Sequence, residues 1–264
     1  MIKQAIIPLA GLGTRMLPLT SVMAKELLPI NGKPNLEYIL EEGVAAGIKE
    51  FIFIISKKKL SIKDYFFNEK IYKQVLKKKR NLSLIKEYKK IKKYQKMIKF
   101  VYQNKPKGTG DAILKCKNYI KHSHFLILFP DDLIIKKNCS KEMISLHKKT
   151  KGSIIATKTV KKETVSRWGI LSFKNKKKNY FTIDDLIEKP SSEKAPSNYA
   201  IIGRYILPRT IMKKLQNLPF GHGQEIHITD AIKELVKSGE KFYGNIFKGK
   251  YLDCGTLDGY IKSA

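Results

Sequence analysis

Ile6-Ile7-Pro8-Leu9-Ala10-Gly11-Leu12-Gly13-Thr14-Arg15 opens the stretch IIPLAGLGTRMLPLTSVMAKELLP, residues 6–29, on which the reading of the chain turns. The apolar run from Ala5 to Leu9 reads as a buried strand, and it empties into a turn whose two glycines, Gly11 and Gly13, permit φ > 0. Such a turn can lay backbone N–H groups against a phosphate. Two cations follow: Arg15 closes the turn, and Lys25 stands ten residues on, inside Ala24-Lys25-Glu26-Leu27-Leu28-Pro29. Phosphoryl chemistry uses this combination, because its transition state spreads negative charge over several oxygens and is stabilised by positioned donors and cations. Taken alone, Gly11-Leu12-Gly13 reads equally well as a plain strand-to-helix turn with two solvated charges. Two familiar phosphate loops do not fit. A dinucleotide fingerprint needs a third glycine where Met16 stands, and a Walker A loop needs a Gly-Lys-Ser/Thr tripeptide that the chain lacks.

At 264 residues and 42% hydrophobic, the chain can bury one large core without disulfides, and residues 1–264 are expected to form a single catalytic domain. Cys116, Cys139 and Cys254 share no CxxC spacing with one another or with a histidine cluster, which argues against zinc and suits a reducing cytosol. The start, MIKQAIIPLAGLG, has too short an apolar run for a secretory segment, and no run approaches the roughly 18 residues of a membrane span. A cytoplasmic protein with no membrane partner is expected. The charge is lopsided, with 53 Lys and Arg against 23 Asp and Glu and a net of +30. A surface so basic binds polyanions at low salt, so a basic nucleic-acid-binding protein is the reading from a different class. Lysine is nevertheless spread through almost every segment, densest from Lys57 to Lys99, where it accompanies Ile, Asn and Tyr rather than Arg, Gly and stacked aromatics. Compositional drift accounts for that pattern better, and no specific nucleic-acid partner is expected.

Strands and helices alternate along the chain, predicting an α/β fold with a Rossmann-like, mostly parallel central sheet flanked by helices. Leu36, Ile39, Leu40 and Val44 make a helical stripe over residues 34–46, closed by Gly47, and Phe51 to Ile55 reads as a central strand. Residues 57–97 are charged and helix-compatible, and are expected to pack over one side of the site. A strand is expected at 99–102, a helix at 109–120, and buried strands at 124–129 and 154–157. Gln103, at a strand's carboxyl end before Gly108, can pair with a donor and an acceptor of a pyrimidine edge. The next strand ends in Pro130-Asp131-Asp132, where one of the two carboxylates suits Mg²⁺. Gly169, beside Trp168, allows close approach of a ligand hydroxyl; Glu188-Lys189-Pro190 offers a carboxylate for sugar hydroxyls and an ammonium for a phosphate. Residues 223–232 read as a capped helix start, and Tyr251-Leu252-Asp253-Cys254-Gly255 puts another Asp at a strand end. No histidine pairs with a plausible nucleophile, so a Ser or Cys triad finds no support.

In order and spacing, GLGTR, KELLP, PDD, EKP, APSNYAIIGRY, EIHITDAI and YLDCG resemble the bacterial UTP–glucose-1-phosphate uridylyltransferases, from about Lys3 to Lys262 and least between Ser56 and Lys99. The resemblance implies the nucleotide-diphosphosugar transferase fold and an enzyme that uses UTP, glucose 1-phosphate and Mg²⁺. By motif, Gly11, Gly13, Thr14 and Arg15 would hold the triphosphate and Lys25 would sit on the reacting phosphates. Glu26, Gln103 and Gly108 would line the nucleoside, Gly169 and Glu188 the glucose, and Lys189 its phosphate. Asp131 and Asp253 would hold the metal, with Asp132 and Asn198 completing the substrate set. The related thymidylyltransferases share much of this and are the runner-up. The chain departs from the family's usual residues at Met23-Ala24, Asp111 and Arg167-Trp168, none of which is a proposed ligand. Family members usually continue beyond Tyr260 with helix that supports subunit contacts, so a homo-oligomer is left open.

Overall fold

The strand predicted from Ala5 to Leu9 is β1, Gln4–Pro8, and it lies inside a nine-stranded sheet, third from one edge. The computed structural model describes residues 1–78 and 81–264. Two short strands, β2 (Pro29–Ile30) and β3 (Lys33–Pro34), precede helix α1 (Asn35–Ala45) and strand β4 (Glu50–Ile55). Helices α2 (Leu60–Phe67), α3 (Lys70–Lys78) and α4 (Leu82–Gln95) follow, then β5 (Ile98–Tyr102), α5 (Thr109–Leu114), β6 (His124–Leu128), β7 (Asp132–Ile135) and α6 (Cys139–Thr150). The second half runs β8 (Ser153–Thr159), β9 (Gly169–Lys174), β10 (Tyr180–Glu188), β11 (Tyr199–Pro208), α7 (Ile211–Asn217), α8 (Ile228–Lys237), β12 (Phe242–Ile246), β13 (Lys250–Asp253) and α9 (Leu257–Ile261).

Side-chain alternation explains the layers. On β1, Ala5 and Ile7 pack to one side with Phe51, Phe53, Leu126 and Leu128, against α1, α6 and the α2–α4 excursion. Ile6 packs to the other with Ile52, Ile54, Phe125 and Ile127, against α5, α7 and α8. A strand buried on both faces has no polar side to show, which is why these segments read as continuous apolar runs.

The sheet order is β5-β4-β1-β6-β11-β8-β12-β10-β9, so the α/β fold class stands. The parallel expectation holds for β5, β4, β1 and β6; β11 runs antiparallel to both β6 and β8, and the second half of the sheet is mixed. Outside it, β13 pairs antiparallel with β7 in a two-stranded ribbon that sets Asp253 opposite Asp132.

Three local expectations change. The helix expected over 109–120 stops at Leu114 and continues as tight turns, with the Cys116, Lys117 and Tyr119 N–H groups donating three residues back. The start of α8 carries no cap of its own: His227 makes no side-chain cap bond, and Thr109 Oγ1 accepts from the Ile228 N–H at 3.2 Å instead. The excursion at 57–97 is mostly helical, in the three helices α2, α3 and α4, and residues 79 and 80 lie outside the described residues. It packs through Phe66 and Phe67 against Phe53 and Phe100 on β4 and β5, and among its described residues only Lys59 reaches the wall of the site, through Glu26.

Candidate active site

The carboxyl ends of β1, β5 and β6 open on one cleft of about 930 Å³, as expected where an open α/β sheet binds its ligand. Its floor begins at the glycine turn. Only Gly13 there is left-handed, at φ 72°, capping the short turn Thr14–Met16, while Thr20 Oγ1 donates to its carbonyl at 2.8 Å. Gly11 keeps an ordinary φ; its use is space, since a Cβ there would meet nothing within 4 Å and the backbone stays open to a ligand.

Lys25 and Arg15 converge on one atom. The Lys25 ammonium donates to Asp131 Oδ2, and Arg15 Nη2 lies 3.7 Å from the same oxygen. Burial works against the Lys25 charge, yet Asp131 and Glu26 hold its pKa above the ordinary lysine value. Asp131 sits in the turn after β6, which is tied down twice: Asn35 Nδ2 donates to Pro130 O at 2.7 Å, and the Cys254 N–H donates to Asp131 O at 2.7 Å. The second of these bonds brings the end of β13 alongside. Asp253 accepts there from the Gly255 N–H at 2.9 Å and lies 3.3 Å from Arg167 Nη2. Asp131 and Asp253 therefore stand on neighbouring segments of one wall, although 122 positions separate them in the chain.

Asp132 is held differently. Its Oδ1 accepts from the Tyr251 hydroxyl at 2.6 Å and its Oδ2 from the Gly203 N–H at 2.9 Å. Burial pushes its carboxyl above the ordinary range, against the pull of the Tyr251 bond. Beneath it lies Arg204, wholly buried and paired with Glu42 at 2.9 Å, donating also to Phe129 O at 2.8 Å. Lys158 covers the Tyr251 ring at 3.5 Å, and burial lowers its pKa despite Asp132 and Asp253 nearby.

At the other end, Gln103 is buried, with Nε2 donating to Asp111 Oδ2 at 2.6 Å. Gly108, at φ 97°, lets its loop lie against Ile226, whose carbonyl a Cβ would approach to 2.5 Å. Glu188 and Lys189 line the cleft, Lys189 in left-handed backbone at φ 46° with its N–H donating to Trp168 O at 3.0 Å. Gly13, Gly169 and Asn198 are not among the described residues that line it. Gly169 sits behind Glu188, where a Cβ would come within 3.1 Å of the carboxylate. Asn198 is exposed and gives its carbonyl to the Val160 N–H. Glu26 lines the cleft with its carboxylate buried and already engaged: burial raises its pKa, and Lys59 Nζ donates to both oxygens at 2.7 and 2.9 Å.

Sequence reading missed Lys59, Asp111, Arg204 and Tyr251. Arg204 had a signal, since a lone guanidinium in the run Tyr199 to Leu207 demands a buried partner. Lys59 had none, being one lysine of three in a row.

A metal fits this wall. Mg²⁺ takes one or two carboxylates with phosphate oxygens and water. Asp131 and Asp253 supply two, and among the described residues no three His, Cys, Asp or Glu groups cluster to hold an ion unaided.

The nucleotidyl transferase family model matches residues 4–264, a span that takes in the glycine turn, the paired cations and both carboxylates of this cleft. The chain belongs to that family and, within it, to the UTP–glucose-1-phosphate uridylyltransferases. The Mycoplasma pneumoniae protein of that name is 37% identical over 99% of this chain and 91% of its own. A UDP-glucose pyrophosphorylase solved with UDP-glucose superposes with a TM-score of 0.88 at 36% identity, over 100% of this chain and 97% of that one. The UTP-bound UGPase from Acinetobacter baumannii gives 0.90 at 32% identity, over 100% and 92%. No described helix is long and apolar enough to cross a membrane.

Proposed function

We propose that residues 1–264 act as one catalytic unit that transfers the uridylyl group of UTP to glucose 1-phosphate, releasing pyrophosphate and UDP-glucose by direct in-line displacement. The observation that carries this reading is the convergence of Lys25 and Arg15 on Asp131, with Asp253 beside them. The glucose phosphate has a second pKa of about 6 and is mostly dianionic at pH 7, so it attacks the α-phosphorus without a protein base. What the chain must supply is position and charge.

Gly11, Thr14 and Arg15 hold the triphosphate, and Lys25 moves from Asp131 to the oxygens where charge develops. Gln103 reads the uracil edge from the position Asp111 gives it. Glu188 takes the sugar hydroxyls and Lys189 the sugar phosphate. Asp131 and Asp253 hold Mg²⁺, while Asp132, with both oxygens satisfied, fixes the wall. The bound ion would offset the repulsion between two phosphate anions. The cysteines are unpaired and buried, in keeping with a reducing cytosol as the site of action.

Purified protein, glucose 1-phosphate and Mg²⁺ with each nucleoside triphosphate in turn test the proposal through pyrophosphate release. Turnover is expected with UTP. Preference for dTTP would transfer the reading to the thymidylyl enzymes, and a uridylylated protein trapped without glucose 1-phosphate would refute direct displacement.

A further inference from the structure

Both carboxylates assigned to the metal already carry a side-chain cation: Lys25 on Asp131, and Arg167 on Asp253. Lys25 has a role in the reaction, and Arg167 as yet has none. We propose that Arg167 is a further substrate-binding residue, which neutralises Asp253 before ligands bind and passes to the phosphate of glucose 1-phosphate once a divalent cation takes that carboxylate. The inference rests on the reading of Asp253 as a metal ligand.

Three observations support the exchange. Asp253 does not need Arg167 to stay in place, because the Gly255 N–H holds Oδ1 at 2.9 Å and Thr256 Oγ1 reaches Oδ2 at 3.4 Å. The pair is open to solvent, with the arginine side chain 55% and the aspartate 25% exposed. An ion pair so exposed gives way cheaply. Arg167 is also tied to the segment that carries the sugar-phosphate ammonium, since it precedes Trp168, whose carbonyl accepts the Lys189 N–H at 3.0 Å. Two cations thus border the place proposed for one dianion, and both line the cleft. A guanidinium suits that duty, because its planar fork meets two phosphate oxygens at once.

The competing account is a staple: Arg167 would merely fasten the turn Lys162–Arg167 to β13. The two differ in what a variant does to metal and substrate. Mn²⁺ binding to the nucleotide-free protein, followed by electron paramagnetic resonance, should tighten about two- to fivefold in Arg167→Gln, the worth of an exposed ion pair. The KM for glucose 1-phosphate should rise about tenfold or more, as for loss of a charged hydrogen bond, with the KM for UTP and the Tm unchanged. Arg167→Lys should recover part of the glucose 1-phosphate affinity. A lower Tm in Arg167→Gln with unchanged Mn²⁺ affinity and unchanged KM for glucose 1-phosphate would establish the staple and overturn the proposal. Asp253→Asn separates the two layers of argument: if it leaves Mn²⁺ affinity untouched, the metal assignment itself fails. If it weakens Mn²⁺ while Arg167→Gln changes neither quantity, only the role of Arg167 does.

Discussion

Replacing Lys59 by Met should destabilise the protein by an amount set by pH. Glu26 is 1% exposed and both of its oxygens take hydrogen bonds from Lys59, so removing the ammonium leaves a carboxylate in the interior with the neighbouring Lys25 already engaged by Asp131. Breaking a buried pair in this way costs about 3–5 kcal/mol. A proton offers escape. Starting from the ordinary value of 4.5, protonating one carboxyl on folding costs about 3.4 kcal/mol at pH 7 and under about 1 kcal/mol at pH 5. The cheaper route wins, which caps the loss at those figures. The sign follows from the folded state. Burial already raises the Glu26 pKa against the pull of Lys59 and Lys25, and without Lys59 it rises further. The folded variant binds a proton that the unfolded chain releases above pH 4.5, so its stability falls as pH rises and the gap from the parent widens. Urea titrations of both proteins at pH 5, 6 and 7 measure this. Lys59→Met with Glu26→Gln should lose most of the pH dependence. A deficit that stays flat with pH, or below about 1 kcal/mol at pH 7, would refute the buried pair as described.

Arg15→Ala and Lys25→Ala should each lower kcat about a hundredfold, the worth of one donor to developing charge, while thermal melts stay near the parent's. Full kcat in either would show the residue to be misplaced. Gln103→Ala should weaken UTP use and its preference over dTTP without abolishing turnover; unchanged UTP selectivity would leave Gln103 as a loop residue bonded to Asp111. Asp131→Asn and Asp253→Asn should each abolish Mg²⁺-dependent turnover with the fold intact, and the double variant should be hardly worse than either single, because both act on one ion. Additive losses would argue against a shared metal, and full activity in Asp131→Asn with none in Asp132→Asn would transfer the metal to Asp132.

The residues that could be found from the sequence are those whose position follows from topology. Asp131 ends an apolar run of the open sheet, where such ends share a crevice, whereas Asp253 ends β13, outside that sheet, and reaches the same wall through the ribbon with β7 and the Cys254 N–H bond to Asp131 O. Strand direction was not legible. All ten residues of β11 are buried, so it reads like the parallel strands beside it although it runs antiparallel to β6. Nothing local distinguishes the two, because burial on both faces erases alternation in either case. The same loss of contrast hid the supporting charges. Lys59, half of the buried pair under Lys25, is spelled like the exposed lysines around it, and in a chain with 53 basic residues one more lysine carries no information. Acids are scarcer, 23 in all, and three of them, Glu26, Glu42 and Asp111, are buried and hydrogen-bonded around the cleft. In a chain drifting toward lysine, reading begins with the acids. Asking what each carboxylate at a strand end or in an apolar run is paired with leads from Glu26 to Lys59, from Glu42 to Arg204 and from Asp253 to Arg167, whereas starting from the cations leads almost anywhere.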